Sequence, residues 1–155
     1  MQFAGLKWLS LELLLIFFAL STVSPQARAQ GDVPKIVGTW KLNLTKSQFG
    51  GPPTRNHVHK WTWDGVTLSH SVGENKPNWS AKFDGKVYPV TGAENGSVRL
   101  TRVDANTTQL IETNGKITSN FRQVVSKDGK TLTITRKSTN EAGQPVVDIE
   151  VFDQQ

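Results

Sequence analysis

The amino-acid sequence predicts an all-β fold, an up-and-down antiparallel β-barrel of about eight to ten strands preceded by a signal peptide. From Gln30 onward, short runs rich in Val, Ile, Thr, Phe and Trp are separated by Asp-Gly, Asn-Gly or Ala-Gly pairs. Beyond the first thirty residues, no stretch has a convincing helical period of apolar residues. A long meander of strands removes its exposed edges most easily by closing into a barrel.

The amino-terminal segment up to Ala29 is predicted to be a secretory signal peptide. It has a positive charge at Lys7, a mostly apolar run over residues 8–20, and small residues at Ala27 and Ala29, where a signal peptidase reads the chain. The apolar run is shorter than the roughly 20 residues that a membrane-spanning helix needs. We therefore expect a secreted or periplasmic protein with no stable membrane span. The predicted boundaries are a signal peptide over residues 1–29 and a single barrel domain over residues 30–155.

Ten strands are predicted after this segment. They cover residues 36–44, 56–63, 66–72, 79–83, 86–91, 97–103, 107–113, 116–126, 130–138 and 146–153. Asp-Gly or Asn-Gly pairs separate many of these strands, because both residues accept the positive φ of tight hairpin turns. These pairs are Asp64-Gly65, Asp84-Gly85, Asn95-Gly96, Asn114-Gly115 and Asp128-Gly129. The one long loop, residues 45–55, contains two glycines followed by two prolines, which exclude a helix in its middle.

The turn at Asp64-Gly65 predicts which side chains of the second hairpin share a face. A two-residue loop would pair Trp61 with Leu68 and His59 with His70. The predicted inward face contains His57, His59, Trp61, Trp63, Val66, Leu68, His70 and Val72. The other face is mostly polar, with Thr62, Thr67, Ser69 and Ser71, and we expect it to face outward.

Two further turns extend the predicted interior. The turn at Asp84-Gly85 predicts an inward set of Trp79, Ala81, Phe83, Tyr88 and Val90. The turn at Asp128-Gly129 aligns Val125 with Leu132, Gln123 with Ile134, and Phe121 with Arg136. The inward faces are therefore apolar with isolated polar groups, a pattern typical of a barrel that encloses a small ligand site.

The chain resembles the calycin superfamily of lipocalins and fatty-acid-binding proteins. The resemblance rests on Gly38-Thr39-Trp40-Lys41-Leu42, which opens the first strand, and on the Thr-rich segment 131–137, which ends in Arg136-Lys137. Residues 82–92 and 126–133 are similar to phrases in uncharacterised, secreted lipocalin-like proteins of bacteria. The resemblance implies that Trp40 plugs the bottom of the barrel and that Arg136 packs across its ring as a structural cation–π pair. We also expect Gly38 to be required because the strand start passes close to neighbouring backbone.

The sequence departs from fatty-acid-binding proteins in two places. Those proteins insert two helices after the first strand, and residues 45–55 cannot supply them. Their last strand carries an arginine and a tyrosine that hold a carboxylate, whereas the matching stretch here is Glu150-Val151-Phe152. Fatty-acid binding by that route is therefore not expected.

The histidines form the one set with potential for metal chemistry. In the predicted register, His57, His59 and His70 share one face of adjacent strands. Three imidazoles so placed could hold one Zn²⁺ or Cu²⁺ with an open fourth position. This hypothesis predicts a metal that survives gel filtration and is lost in His59→Ala.

Other chemistries find little support in the sequence. There is no cysteine, which excludes disulfides and thiolate sites. Asp148 and Glu150 alternate with Val147, Ile149 and Val151, so we expect both carboxylates to face water. No nucleophile or acid/base set converges on one face, so neither an enzyme nor a cofactor is predicted. The formal net charge of +5 is spread without a basic block, which argues against nucleic acid as a partner.

Three functions remain open. The first is a secreted barrel that binds a small hydrophobic or amphipathic ligand as a monomer, within a cavity of several hundred Å³. Its predicted ligand-binding residues are His59, Trp61, Leu68, His70, Trp79, Phe83, Tyr88, Gln123 and Arg136. The second is a structural or protein-binding barrel with a filled core. The third is the three-histidine barrel, which would bind metal or haem.

Overall fold

The computed structural model describes residues 32–53, 58–73, 78–140 and 142–155. In these ranges the chain forms ten strands and one short 3-10 turn, Leu44–Lys46. The strands are β1 Gly38–Leu42, β2 Val58–Trp63, β3 Leu68–Val72, β4 Trp79–Ala81, β5 Tyr88–Pro89, β6 Gly96–Arg102, β7 Thr107–Asn114, β8 Ile117–Val125, β9 Thr131–Thr139 and β10 Pro145–Gln154. The predicted all-β class and ten strands are confirmed, whereas the predicted signal peptide lies outside the described residues.

All neighbouring strands are antiparallel and form one sheet in the order β4-β3-β2-β1-β10-β9-β8-β7-β6-β5. β10, the last strand, pairs with β1, the first. The sheet ends at β4 and β5, where Trp79 and Val90 form an isolated bridge and the Thr91 N–H donates to the Asn78 carbonyl at 2.7 Å. The barrel is therefore nearly closed. The described residues form no helix of the length and apolarity needed to cross a membrane.

The register of the β2–β3 hairpin differs from the prediction by two residues. Trp61 pairs with His70, and Trp63 pairs with Leu68, so the loop has four residues rather than two. The Asp64 carboxylate explains this length, because it accepts the backbone N–H groups of Val66 at 2.9 Å and Thr67 at 2.6 Å. Val66 is consequently in the loop and 46% exposed, which corrects its predicted inward position. Since the shift is even, the other strand residues keep their predicted faces.

The β8–β9 hairpin has the predicted register. Val125 pairs with Leu132, Gln123 with Ile134, and Phe121 with Arg136. The loop is longer than the two residues Asp128-Gly129, but it extends by the same number of residues on each side of them. Ser126 and Thr131 face each other across this loop, and the Ser126 N–H donates to the Thr131 carbonyl at 2.8 Å. A symmetrical lengthening leaves the pairing unchanged.

One end of the barrel is filled by a continuous apolar core. Trp40 has no exposed surface, and its indole N–H donates to the Ile36 carbonyl at 2.8 Å. The buried apolar side chains are Ile36, Trp40, Leu42, Trp61, Leu68, Trp79, Ala81, Val98, Leu100, Leu110, Val125, Leu132, Ile134 and Phe152. Trp40 therefore closes this end, as the family resemblance implies.

Arg136 does not pack on Trp40, which corrects that part of the prediction. On β10, the partner of Trp40 is Gln154, whereas the partner of Arg136 is Asp148, six positions away. At about 3.3 Å per residue, the two side chains lie at levels of the barrel roughly 20 Å apart. Arg136 forms an ion pair with Asp148 instead.

Gly38 is required for a reason other than the predicted close approach. A Cβ at this position would be 3.7 Å from both Trp40 Nε1 and Gln154 Nε2, which is ordinary contact. Its φ of +145°, however, is a backbone conformation that L-residues rarely adopt. The close approach occurs at Gly96, where a Cβ would be 2.5 Å from the Ala93 Cβ.

Asp148 and Glu150 of β10 face inward, which corrects the expectation that they face water. Asp148 is 2% exposed and Glu150 is 9% exposed, whereas Val147 is 48% exposed. Alternation separates the two faces of a strand but does not say which one is buried. Here the buried Phe152, which pairs with Leu132, places every second residue of β10 in the interior.

Candidate functional site

Between the apolar core and the other end, the barrel contains a partly open cavity of about 200 Å³. Most strands contribute to its wall, because inward positions recur at every second residue of each strand. The lining residues are His59, Trp61, His70, Val72, Asn78, Trp79, Val90, Leu110, Glu112, Phe121, Gln123, Ile134 and Glu150. The interior is thus partly apolar, with several groups that can form hydrogen bonds or carry charge.

One wall of the cavity is a row of aromatic rings on β2, β3 and β4. The centroids of His59 and Trp61 are 5.6 Å apart, those of Trp61 and His70 are 4.6 Å apart, and those of His70 and Trp79 are 5.2 Å apart. Trp61 and Trp79 are the cross-strand neighbours of His70 on its two sides. Such a row offers flat, polarisable surface to a ring-shaped ligand.

The two described histidines of this wall are hydrogen-bonded to each other. The Nδ1 atom of His59 and the Nε2 atom of His70 are 3.0 Å apart. They are diagonal neighbours, since His59 pairs with Val72 and not with His70 as the predicted register had it. Desolvation by burial, together with the charge of His59, lowers the pKa of His70 to about 3. His70 is therefore a neutral imidazole at pH 7, with one donor and one acceptor nitrogen.

Two nitrogens in this wall are buried without a hydrogen-bond partner among the described residues. They are Nε1 of Trp61 and Nδ1 of His70, and both side chains line the cavity. Leaving such a group unsatisfied costs about 1 to 3 kcal/mol, so buried polar atoms are normally paired with protein or with an occupant of the site. Both nitrogens are thus available to a molecule held in the cavity.

The strands β7, β8 and β10 supply the carboxamide and carboxyl groups of the cavity. The Thr108 hydroxyl donates to Gln123 Oε1 at 2.7 Å, which leaves the Gln123 amide nitrogen for an occupant. Glu112 and Glu150 form no hydrogen bond within the part of the chain that the structure describes. Burial raises the pKa of both carboxyl groups, and Arg136 opposes this rise, while Asp148 adds to it for Glu150.

Arg136 is engaged by Asp148 and does not line the cavity. Its Nε donates to Asp148 Oδ2 at 2.8 Å, and its terminal nitrogen Nη2 donates to the same oxygen. The other oxygen of Asp148 accepts the Gly50 N–H at 2.8 Å. The carboxylate thus compensates the guanidinium charge, and Arg136 is not a free anchor for an anionic ligand.

The structure brings together five of the nine residues predicted to bind a ligand. They are His59, Trp61, His70, Trp79 and Gln123. The other four lie elsewhere. Leu68 belongs to the fully buried core, and Phe83 packs on Trp63 with ring centroids 5.8 Å apart. The Tyr88 hydroxyl donates to Asp84 Oδ2 at 2.9 Å near the gap in the sheet, and Arg136 is paired with Asp148.

Sequence reasoning missed several residues of the cavity wall. Phe121 and Ile134 were already aligned with inward residues by the predicted β8–β9 register and could have been added from it. Glu112 and Glu150 were missed because acidic residues at alternate strand positions usually face solvent. Nothing in the local sequence distinguishes them from surface carboxylates.

The three-histidine metal site stays a prediction, because His57 lies outside the described residues. Within residues 32–53, 58–73, 78–140 and 142–155, no group of three or more His, Cys, Asp or Glu side chains has the arrangement to hold a metal ion.

Comparison with known proteins gives likeness at the level of structure. No family model matches the sequence, and no curated protein matches it significantly. The crystal structure of the wild-type fluorescent protein UnaG is similar, with a TM-score of 0.55 and 14% identity over 78% of this chain and 98% of that one. A fatty acid binding protein of Schistosoma mansoni in complex with arachidonic acid is similar, with a TM-score of 0.50 and 14% identity over 78% and 96% of the two chains. These similarities show that the chain shares the β-barrel fold of the two proteins.

Proposed function

We propose that this protein binds a small hydrophobic or amphipathic molecule inside its barrel. The observation that carries the proposal is the pair of buried nitrogens of Trp61 and His70 that have no partner among the described residues and lie in the wall of the cavity. A filled structural barrel has no reason to keep polar atoms unsatisfied beside empty space, whereas a binding site combines apolar walls with a few polar groups that orient the ligand.

The cavity volume limits the size of the ligand. About 200 Å³ is less than the several hundred Å³ expected from the sequence, because the side chains of Trp61, Trp79 and Phe121 fill part of the barrel. Small-molecule sites commonly measure about 300 to 1,000 Å³, but a cavity of about 150 Å³ can already hold benzene. The proposed ligand is therefore a compound of one or two rings. A long acyl chain, such as that of the arachidonic acid bound by the Schistosoma mansoni protein, would require the barrel to expand.

The proposal also includes secretion of the protein, as expected from the sequence. The segment up to Ala29 has the charge and apolar pattern of an export signal, which supports action outside the cytoplasm. We further propose that the protein binds its ligand as a monomer and without chemical conversion. The described residues that line the cavity include no Ser, Thr, Cys, Lys or Tyr that could act as a nucleophile beside the two histidines.

Native mass spectrometry of protein purified from its source tests the proposal directly. We expect a retained organic molecule of one or two rings. A retained metal ion would favour the three-histidine hypothesis, and a mass equal to that of the bare polypeptide would favour the filled barrel.

A pair of matched variants shows whether the molecule occupies this cavity. Val72→Phe adds a ring to the cavity wall and should abolish retention. Val66→Phe makes the same change in the exposed loop of the same hairpin and should retain the molecule. Retention by both variants would place the molecule elsewhere on the protein.

A further inference from the structure

We propose, as an extension of the proposed ligand-binding function, that the cavity selects small ring compounds carrying a protonated amine, with Glu150 and Glu112 as the groups that hold the ammonium. The interior of the barrel has carboxyl groups and neutral hydrogen-bond donors in the cavity wall, whereas an anionic ligand would need a cationic side chain there.

Several ionisable side chains face inward around the cavity. The inward ionisable side chains at this level are those of His59, His70, Glu112, Arg136, Asp148 and Glu150. Arg136 and Asp148 neutralise each other through two hydrogen bonds. His70 is a neutral imidazole, as argued above. Among the described residues, neither Glu112 nor Glu150 is part of an ion pair.

Glu150 is largely buried. Its side chain faces the cavity and is only 9% exposed, yet it forms no hydrogen bond or ion pair within the described ranges. A buried carboxylate is costly unless it is paired or accepts hydrogen bonds. Glu112 lines the same cavity, so the two carboxyl groups border one region of the interior. An ammonium group in the cavity would supply both the missing charge and the missing donors.

The aromatic wall of the cavity offers a surface for the ring of such a ligand. The rings of Trp61 and Trp79 flank His70 and border the same cavity as the two carboxyl groups. Tryptophan faces attract cations, and they also stack on aromatic rings. A ligand with a ring and a short aminoalkyl chain can therefore place its ring against this wall while its ammonium group reaches Glu150 or Glu112.

A carboxylate ligand of the same size fits this interior poorly. It would meet the carboxyl groups of Glu112 and Glu150, whereas Arg136 does not line the cavity and is bound to the buried Asp148. The donors of the cavity wall include the indole N–H of Trp61 and the amide of Gln123, which are neutral.

Three probes that share a phenyl ring test the inference: 2-phenylethylamine, 2-phenylethanol and 3-phenylpropionate, each titrated into the protein at pH 7 by calorimetry. We expect the amine to bind about ten-fold or more tightly than the alcohol, because a hydrogen bond to a charged group contributes about 1.5 kcal/mol or more. The carboxylate should bind most weakly. Glu150→Gln and Glu112→Gln should each reduce the ratio of amine affinity to alcohol affinity towards one. Neutralising an unpaired buried acid does not threaten the fold, and near-ultraviolet circular dichroism checks this.

Glu94→Gln is the matched control, since Glu94 is exposed in the turn before β6 and should not affect any of the three affinities. Equal or tighter binding of 3-phenylpropionate, or an amine preference that survives the Glu112→Gln/Glu150→Gln double variant, would overturn the inference while leaving the proposed function in place. If none of the three probes binds and native mass spectrometry finds no retained molecule, the proposed function fails together with the inference.

Discussion

Trp61 and His70 lie directly opposite each other on β2 and β3, with ring centroids 4.6 Å apart, and each has a buried nitrogen without a partner among the described residues. The pairing is a consequence of the four-residue loop that Asp64 stabilises. It places a neutral imidazole and an indole N–H side by side in the wall of the cavity. The same two rings thus contribute apolar surface and hydrogen-bonding capacity to one site.

Replacing Trp40 by alanine should strongly destabilise the barrel. Trp40 is completely buried at the filled end and donates to the Ile36 carbonyl, so the variant loses a large apolar surface and leaves a cavity. We expect a loss of about 3 to 5 kcal/mol in the free energy of unfolding, measured by urea denaturation. Leu44→Ala, at an exposed position, is the control and should cost less than about 0.5 kcal/mol. A loss below about 1 kcal/mol for Trp40→Ala would mean that Trp40 is not the plug of the barrel.

Breaking the ion pair inside the barrel should cost more than breaking an exposed one. Arg136→Met leaves the buried Asp148 carboxylate with only the Gly50 N–H, and we expect a loss of about 1 to 3 kcal/mol in unfolding free energy. In the exposed pair of Lys46 and Asp153, Lys46→Met should cost at most about 1 kcal/mol. Equal losses in the two variants would show that burial of Asp148 does not increase the contribution of its ion pair with Arg136 to the free energy of unfolding.

Gly96 should not tolerate a methyl group. In Gly96→Ala the new Cβ would be 2.5 Å from the Ala93 Cβ, a contact that requires the backbone of the turn to move. We expect a loss of about 1 to 3 kcal/mol in chemical denaturation, the usual range for overpacking. Gly51→Ala is the control, because a Cβ there would have no neighbour within 4 Å and the residue has no positive φ. A fully stable Gly96→Ala protein would contradict the close packing of this turn.

His70 should make the protein less stable in mild acid. Its pKa is about 3 in the folded state and about 6.5 in a free chain, so between these values the unfolded chain binds more protons. Its contribution to stability is therefore complete above about pH 6.5 and is lost as the pH falls towards 3. In His70→Gln, the decrease of unfolding free energy between pH 7 and pH 5 should be smaller by about 2 kcal/mol.

Comparing the wild-type protein with His70→Gln separates the pH dependence due to His70 from that of the other ionisable groups that face it. His59, Glu112 and Glu150 are present in both, and the raised pKa values of the two glutamates act in the opposite direction, since protonation of these acids favours the folded state. Parallel pH profiles for wild type and His70→Gln would show that the imidazole is not held neutral by the fold.

Local sequence patterns determined the number of strands, their order along the chain and, for most of them, the buried face. Strand period and turn residues are local properties, and the turn at Asp128-Gly129 was sufficient to predict the pairing of Gln123 with Ile134 and of Phe121 with Arg136. The faces of β2 and β3 were also correct, because the error of two residues in their register leaves the parity unchanged. His59, Trp61 and His70 of the cavity wall followed from that parity, and Trp79 and Gln123 followed from the turns at Asp84-Gly85 and Asp128-Gly129.

Only the tertiary structure decided which groups meet inside the barrel. The Asp64 carboxylate lengthened a loop, and so paired Trp61 with His70. The acidic face of β10 turned inward because Phe152 on the same face is buried against β9, and a strand cannot bury one of these residues without the others. Arg136 met Asp148 instead of Trp40 because cross-strand register, which depends on residues distant in sequence, sets the level of each side chain along the barrel. These long-range pairings give the cavity its charge, and no local pattern contains them.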